Sequence, residues 1–208
     1  MQKIIFGTTN RRKIEDLNEI IKHCHFPAKI LTLQDIGWDL GEIEETGRSL
    51  SENSLIKAHA IRNFCLSHHL SYPIITDDSG LFVHSLNGKP GIRTARYADE
   101  ELSTNPSLPK YECVNKLLRN LKDASNRDAT YKCVVTCIRQ SGTYFQVSSR
   151  SQGKIANEIV EPIQKPYFYS VFILDSAQKT FNQLSKEELK ETYRYKALER
   201  TLEVLFHM

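Results

Sequence analysis

Apolar residues recur at two distinct periods along the chain. Lys3-Ile4-Ile5-Phe6 is a short continuous apolar run that predicts a buried strand, and Gly7 to Lys13 after it is a small, polar turn. Ile14, Leu17, Ile20 and Ile21 then return every three or four residues, the spacing of one helix face. Ala28 to Leu33 predicts a second strand. Leu55, Ile56, Ala60, Ile61, Phe64 and Cys65 supply the apolar face of a second helix, opened by Ser49 and Glu52 at capping-box spacing. Pro73-Ile74-Ile75 reads as a third, buried strand, ending where Asp77-Asp78-Ser79-Gly80 turns the backbone. Beyond Ala98 come a polar loop over 99–109, a helix over 111–121 and a second loop near 123–128. A long hairpin follows, 130–138 and 143–148, joined through Gln140-Ser141-Gly142. Ser185 and Glu188 open a last helix predicted to run unbroken to about Phe206. Strands alternating with helices predict an α/β fold.

Two stretches carry candidate chemistry. In an extended chain Asp77 and Asp78 point to opposite sides, so one can face a cleft while the other braces the backbone; the plainer alternative is an Asx-rich turn with no chemistry. The strand, polar turn and helix at the N-terminus form a phosphate-binding geometry. Asn10 is placed to cap the helix, which leaves free N–H groups at the positive end of its dipole, and Lys13 adds a full charge there. Arg11 and Arg12 make the first turn still more basic, which opposes the helix dipole and suits an anionic ligand. The G-x-x-x-x-G-K-[ST] spacing of a Walker A loop is absent. Asn53 and Lys57 lie one turn apart beside the acidic Glu42 to Gly47 segment, where the lysine is either a salt-bridge partner or a phosphate ligand. His23-Cys24-His25 lacks the spacing of a tetrahedral metal site and reads as surface.

Composition narrows the class. A chain of 208 residues with a net charge of +3 fits one α/β domain over 1–208, long enough for a full core and too weakly basic to argue for nucleic acid or membrane. No segment has the form of a secretion signal or a membrane span, so a cytoplasmic location is expected. The five cysteines are odd in number and scattered, as reduced thiols are.

Taken together, Thr9-x-x-x-Lys13, Glu44-Glu45-Thr46-Gly47, Glu52-Asn53-Ser54-x-x-Lys57-Ala58, Asp77-Asp78-Ser79-Gly80-Leu81 and Gly88-x-Pro90-Gly91-x-x-Thr94-Ala95-Arg96-Tyr97-Ala98 resemble the inosine triphosphate pyrophosphatase family. The resemblance covers the first half of the chain closely and in order. It implies a mixed, elongated central sheet flanked by helices in two lobes, with the active-site cleft between them. It also implies a homodimer, and hydrolysis of noncanonical purine nucleoside triphosphates to the monophosphate and pyrophosphate. Glu45 and Asp78 would hold magnesium, with Glu44 the neighbour that substitutes, and Asp78 would also be the proton acceptor, assisted by Lys57. Thr8, Thr9, Asn10, Arg11, Arg12, Lys13 and Asn53, with Lys57, would hold the triphosphate, while Ser79 and Arg96 match substrate-contacting positions.

The pattern departs from the family where the base is read. Where the family has Gly-Phe-Gly-Tyr/Trp-Asp-Pro-x-Phe this chain has Gln164 to Phe172, so Tyr169 replaces the Asp while Phe168 and Phe172 keep an apolar, aromatic character. The family's Ser-His-Arg becomes Thr192-Tyr193-Arg194, and a one-residue gap upstream makes Lys190 the candidate substrate lysine. Phe168, Tyr169 and Tyr193 can stack on a base, or serve as a core or dimer-interface strand. Replacing Asp and His by tyrosines changes the hydrogen-bonding inventory that discriminates a 6-oxo purine. Two alternatives therefore stand beside the family function: the same chemistry on another base, such as a modified pyrimidine, and a nucleotide-binding module without turnover.

Overall fold

The computed structural model describes residues 1–163 and 165–207; Gln164, which opens the segment expected to read the base, lies outside the described residues. In chain order the elements are β1 (Gln2–Phe6), α1 (Arg11–His23), β2 (Ala28–Leu31), α2 (Leu50–Ser67), β3 (Ile74–Val83) and β4 (Pro90–Gly91). They continue with α3 (Asp99–Thr104), α4 (Glu112–Asn120), β5 (Asp128–Ile138), β6 (Tyr144–Ile155), β7 (Phe172–Leu174), β8 (Lys179–Thr180), α5 (Lys186–Lys190) and α6 (Tyr193–His207). The strands form one mixed sheet in the order β2-β1-β3-β5-β6-β7-β8, with β4 on β3. β1 runs parallel to β2 and to β3, whereas β3/β4, β6/β7 and β7/β8 are antiparallel. The mixed sheet with flanking helices is the architecture expected from the sequence.

The chain divides into two compact units. The first comprises residues 1–78, 133–149 and 193–208. Its core gathers Ile5, Ile61, Phe64, Ile74 and Ile138 with Leu33 and Ile36, and Trp38 tilts against Phe64 at 5.1 Å between ring centres. Burying each such side chain contributes about 1.5–3 kcal/mol. α1 buries Leu17, Ile20 and Ile21 and packs beside α6, where Phe26 stacks on Phe206 at 5.7 Å. The second unit comprises residues 79–132 and 150–192. Its core is aromatic: Tyr131 meets Phe172 edge-on at 5.0 Å, Tyr169 lies 4.7 Å from Phe181, and Phe172 stacks on Phe181 at 5.1 Å. Arg127 ties that unit's loops together by donating to the carbonyls of Leu121, Ile155 and Ala156.

Six expectations from the sequence are corrected. The loop expected over 99–109 opens with the short helix α3, whose first turn carries Asp99, Glu100 and Glu101 at the positive end of its dipole. The second hairpin strand does not stop at Ser148 but runs on to Ile155, because Gly153, Lys154 and Ile155 pair with β7. β3 does not stop at the carboxylates but continues through Asp77-Asp78-Ser79-Gly80 to Val83, because its far end pairs with β4, Leu81 opposite Gly91 and Phe82 opposite Pro90. β2 ends at Leu31, because the Asp35 carboxylate accepts from both the N–H and the hydroxyl of Thr32, at 2.7 and 2.8 Å, and turns the chain. The C-terminal helix is two helices. Ser185 and Glu188 cap the short α5, and Thr192 donates its hydroxyl to the Leu189 carbonyl at 2.6 Å, closing that helix before α6 begins. Phe168 and Tyr169 sit on a tight 3-10 turn, Tyr167–Ser170, rather than on a strand.

Candidate active site

Every part of the site described first lies within the first unit. Asn10 caps α1 as its sequence position suggests: its side-chain oxygen accepts from the N–H groups of Arg12 and Lys13, at 3.0 and 3.4 Å. Thr8 supports the same turn by accepting from the Asn10 N–H at 3.1 Å. Thr9 is exposed, and Arg11 reaches out to Glu15 at 2.9 Å with 93% of its side chain exposed. Lys13 turns the other way. Its Nζ lies 2.9 Å from both carboxylate oxygens of Asp77.

α2 presents the second half of the site. Ser49 accepts from the Glu52 N–H at 3.1 Å, and the Glu52 carboxylate reaches back to the Arg48 N–H, so the first turn is fixed at both ends. From that turn Asn53 makes two contacts: its Oδ1 accepts from the Gly47 N–H at 2.9 Å and its Nδ2 donates to Asp78 Oδ2 at 3.2 Å. Gly47 has to be glycine, because a Cβ there would stand 2.5 Å from Asn53 Oδ1 and 2.9 Å from the Asn53 nitrogen. The acidic turn is thereby laid against the helix, and Glu45 reaches Lys57 at 3.0 Å while Glu44 is exposed. Lys57 Nζ also lies 3.8 Å from Asp78.

The two aspartates face opposite sides of β3. Asp78 contacts Asn53 and Lys57, whereas Asp77 contacts Lys13, lies 3.6 Å from Arg194 of α6 and has the Cys133 thiol at 3.9 Å. Their electrostatics separate accordingly. Burial raises the Asp78 carboxyl above its ordinary value, Lys57 and Asn53 oppose this, and Glu45 adds to it. Burial acts on Asp77 as well, but Lys13, Arg194 and Lys57 outweigh it and hold that carboxyl at about 2. Desolvation on its own would lower Lys57, yet Asp77, Asp78 and Glu45 keep it charged, above its ordinary value. Burial pushes the Cys133 thiol up to about 12, as suits a small buried hydrophobe beside a carboxylate.

A buried polar network beneath these groups escaped the sequence reading. Ser54 meets Thr136 at 2.8 Å, Thr76 donates to the Ser54 carbonyl at 2.7 Å, and Gln146 donates to Thr136 and to the Ser51 carbonyl, both at 2.9 Å. It joins α2, which carries Asn53 and Lys57, to β3 immediately before the aspartates. Each residue alone reads as ordinary polar sequence, and only the pairing of distant segments makes the network. Asp16, 3.8 Å from Arg194, was missed for the same reason.

The remaining candidates belong to the second unit, apart from Tyr193. Ser79 is half-buried and Arg96 exposed. Phe168 and Tyr169 are buried, against Tyr97 and against Tyr131 and Phe181 respectively. Lys190 Nζ sits 2.8 and 2.6 Å from the two Glu187 oxygens. Tyr193, in the first unit, is fully buried beneath the Arg194 guanidinium, 5.6 Å from its ring.

Among the described residues no three His, Cys, Asp or Glu side chains converge as a metal cage. The donor set does fit a hard divalent cation that takes one or two carboxylates: Glu45 and Asp78 already converge on a single positive centre, the Lys57 ammonium.

The fold and this site define a mixed α/β protein with a capped strand-turn-helix and a carboxylate pair held around a lysine. The Ham1 family model matches residues 4–204, and the chain belongs to that family. A dITP/XTP pyrophosphatase of Clostridium perfringens is 33% identical over 202 residues, covering 96% of this chain and 95% of the relative. One from Christiangramia forsetii is 31% identical over 206 residues, with 98% of each covered. Among solved structures, a HAM1 protein from Coxiella burnetii aligns with a TM-score of 0.80 at 26% identity over 100% of both chains. The Staphylococcus aureus Ham1 protein aligns with a TM-score of 0.76 at 27% identity, covering 98% of this chain and 97% of that one. The motif resemblance seen in the sequence is borne out. No helix among the described residues is long and apolar enough to cross a membrane.

Proposed function

We propose that this chain hydrolyses noncanonical purine nucleoside triphosphates, those of inosine, deoxyinosine and xanthosine, to the nucleoside monophosphate and pyrophosphate. The observation that carries this reading is the convergence of Glu45, Lys57 and Asp78 from three separate segments, with Asn53 bonded to Asp78. It occurs in a chain aligned nearly end to end with proteins named dITP/XTP pyrophosphatase.

The residues divide the work as their surroundings dictate. Asp78, with its affinity for a proton raised by burial and by Glu45, accepts the proton of the water that attacks the α phosphorus. Lys57, held charged among carboxylates, stabilises the negative charge that develops on the phosphate. Thr8 to Lys13 bind the polyphosphate through the positive dipole of α1 and the N–H groups that the Asn10 cap does not take, aided by the Lys13 and Arg194 charges. Glu45 and Asp78, with Glu44 beside them on the exposed turn, would hold magnesium, which when bound neutralises phosphate charge. Ser79, Arg96, Phe168, Tyr169, Lys190 and Tyr193 are assigned to sugar, base and outer phosphate. A homodimeric assembly and a cytoplasmic location belong to the same reading.

One observation favours a second reading. Tyr169 and Tyr193 stand at base-reading positions, and both are buried, so base preference can differ from that of the relatives. Pyrophosphate release, with and without magnesium, from inosine, xanthosine, standard and modified pyrimidine triphosphates tests both. Magnesium-dependent release strongest for inosine or xanthosine is the expected result. Preference for a pyrimidine would move the chain to the second reading, and binding without release would make it a nucleotide-binding module.

A further inference from the structure

Asp77 is a carboxylate for which the hydrolytic step has no use. It is 2% exposed, it faces away from Asp78, and it contacts Lys13, Arg194 and the Cys133 thiol. Two of these are the cations assigned to the polyphosphate, and they arrive from opposite ends of the chain. Lys13 sits in the first turn of α1 and Arg194 in the first turn of α6. A lysine in the first turn of a helix is repelled by the helix dipole, and its flexible four-carbon stem has no intrinsic reason to stay near that end. Asp77 supplies the reason. It takes the ammonium on both oxygens at 2.9 Å, and it also faces the guanidinium at 3.6 Å. Asp16, 3.8 Å from Arg194, faces that guanidinium as well.

We propose that Asp77 is a positioning residue for polyphosphate binding, a buried anchor that fixes Lys13 and Arg194 where the phosphates take them, and not a proton acceptor or a metal ligand. The inference rests on the functional reading above and deepens it. It makes a prediction opposite in sign to plain electrostatics. If Asp77 were only a negative charge near a polyanion site, removing that charge would tighten anion binding. As an anchor, its loss lets the cations move and weakens binding.

The test is the affinity of metal-free protein for inorganic tripolyphosphate, by titration calorimetry, in wild type, Asp77→Asn, Lys13→Met and the double variant. Each single change should weaken binding about 10-fold or more, and the double variant should lose clearly less than the product of the two single losses, because part of the Asp77 effect acts through Lys13 while the part through Arg194 remains. In the kinetic assay Asp77→Asn should raise KM for the preferred triphosphate and leave kcat within about threefold. Binding that is tighter or unchanged in Asp77→Asn, or losses that multiply in the double variant, would overturn the proposal. If Asp77→Asn does not fold, Asp77→Glu keeps the charge but shifts the carboxylate by one methylene, and undiminished affinity there would overturn it equally. Pyrophosphate release by wild type is measured alongside. Tripolyphosphate binding with the expected coupling but no release would sink the functional reading and leave the anchor standing.

Discussion

Asp77 and Asp78 are the same residue at consecutive positions of one strand, and β3 turns them to opposite sides. On one side Asp77 is saturated by Lys13 and Arg194 and held at about 2; on the other Asp78 shares Lys57 with Glu45 and is raised by burial. Burial is the largest single influence on both, so it does not distinguish them. What differs is the contacts: Asp77 takes Lys13 on both oxygens and faces Arg194, whereas the lysine beside Asp78 lies closer to Glu45 than to it. Close ion pairing suits Asp77 to a structural role, and a raised proton affinity suits Asp78 to the proposed role of base.

The strongest way to break that contrast is Asp78→Asn. It removes the proposed proton acceptor and should cut turnover about 10³-fold, with the melting temperature close to wild type, checked by pyrophosphate release and thermal denaturation. Asp77→Asn should act on stability: it leaves two cations beside an uncharged amide in a buried place, at a cost of about 3 kcal/mol in urea denaturation. The pH dependence sharpens this. The Asp77 carboxyl has a folded-state value below its unfolded one of 3.8, so its contribution is complete above about pH 4 and is lost as pH falls through about 2. In metal-free protein the stability gap between wild type and Asp77→Asn should therefore close by about 2 kcal/mol over that window; a gap constant with pH would contradict the assignment. The smallest effect belongs to the network that serves both sides alike. Ser54→Ala removes the hydroxyl between Thr76 and Thr136 and should cost about 1–2 kcal/mol of stability, without separating KM from kcat.

Local chemistry was legible in the sequence because its causes are local. The Asn10 and Ser49 caps, the apolar face of α1, the hairpin of β5 and β6 and the opposed aspartates all follow from residues within one or two turns. The course of β3 was not legible. Asp-Asp-Ser-Gly has the composition of a turn, and only pairing with β1 on one end and β4 on the other keeps it extended. The break between α5 and α6 was missed because the apolar period carries across it, while the Thr192 hydroxyl that ends α5 acts through a single hydrogen bond. Motif spacing nominated Glu45, Lys57 and Asp78, but nothing in it joins Asp77 to Arg194, which lies near the other end of the chain. The aromatic residues at the positions expected to read the base allow two uses, and the structure buries Phe168 and Tyr169 in the aromatic core of the second unit.

The most direct test of the contrast is to measure kcat, KM and melting temperature for Asp77→Asn and Asp78→Asn side by side on the preferred triphosphate. The account predicts that Asp78→Asn loses kcat and keeps its melting temperature, while Asp77→Asn loses melting temperature, gains KM and keeps kcat. Two variants that fail in the same way, or Asp77→Asn losing kcat while Asp78→Asn retains it, would contradict the division of labour between the two sides of β3.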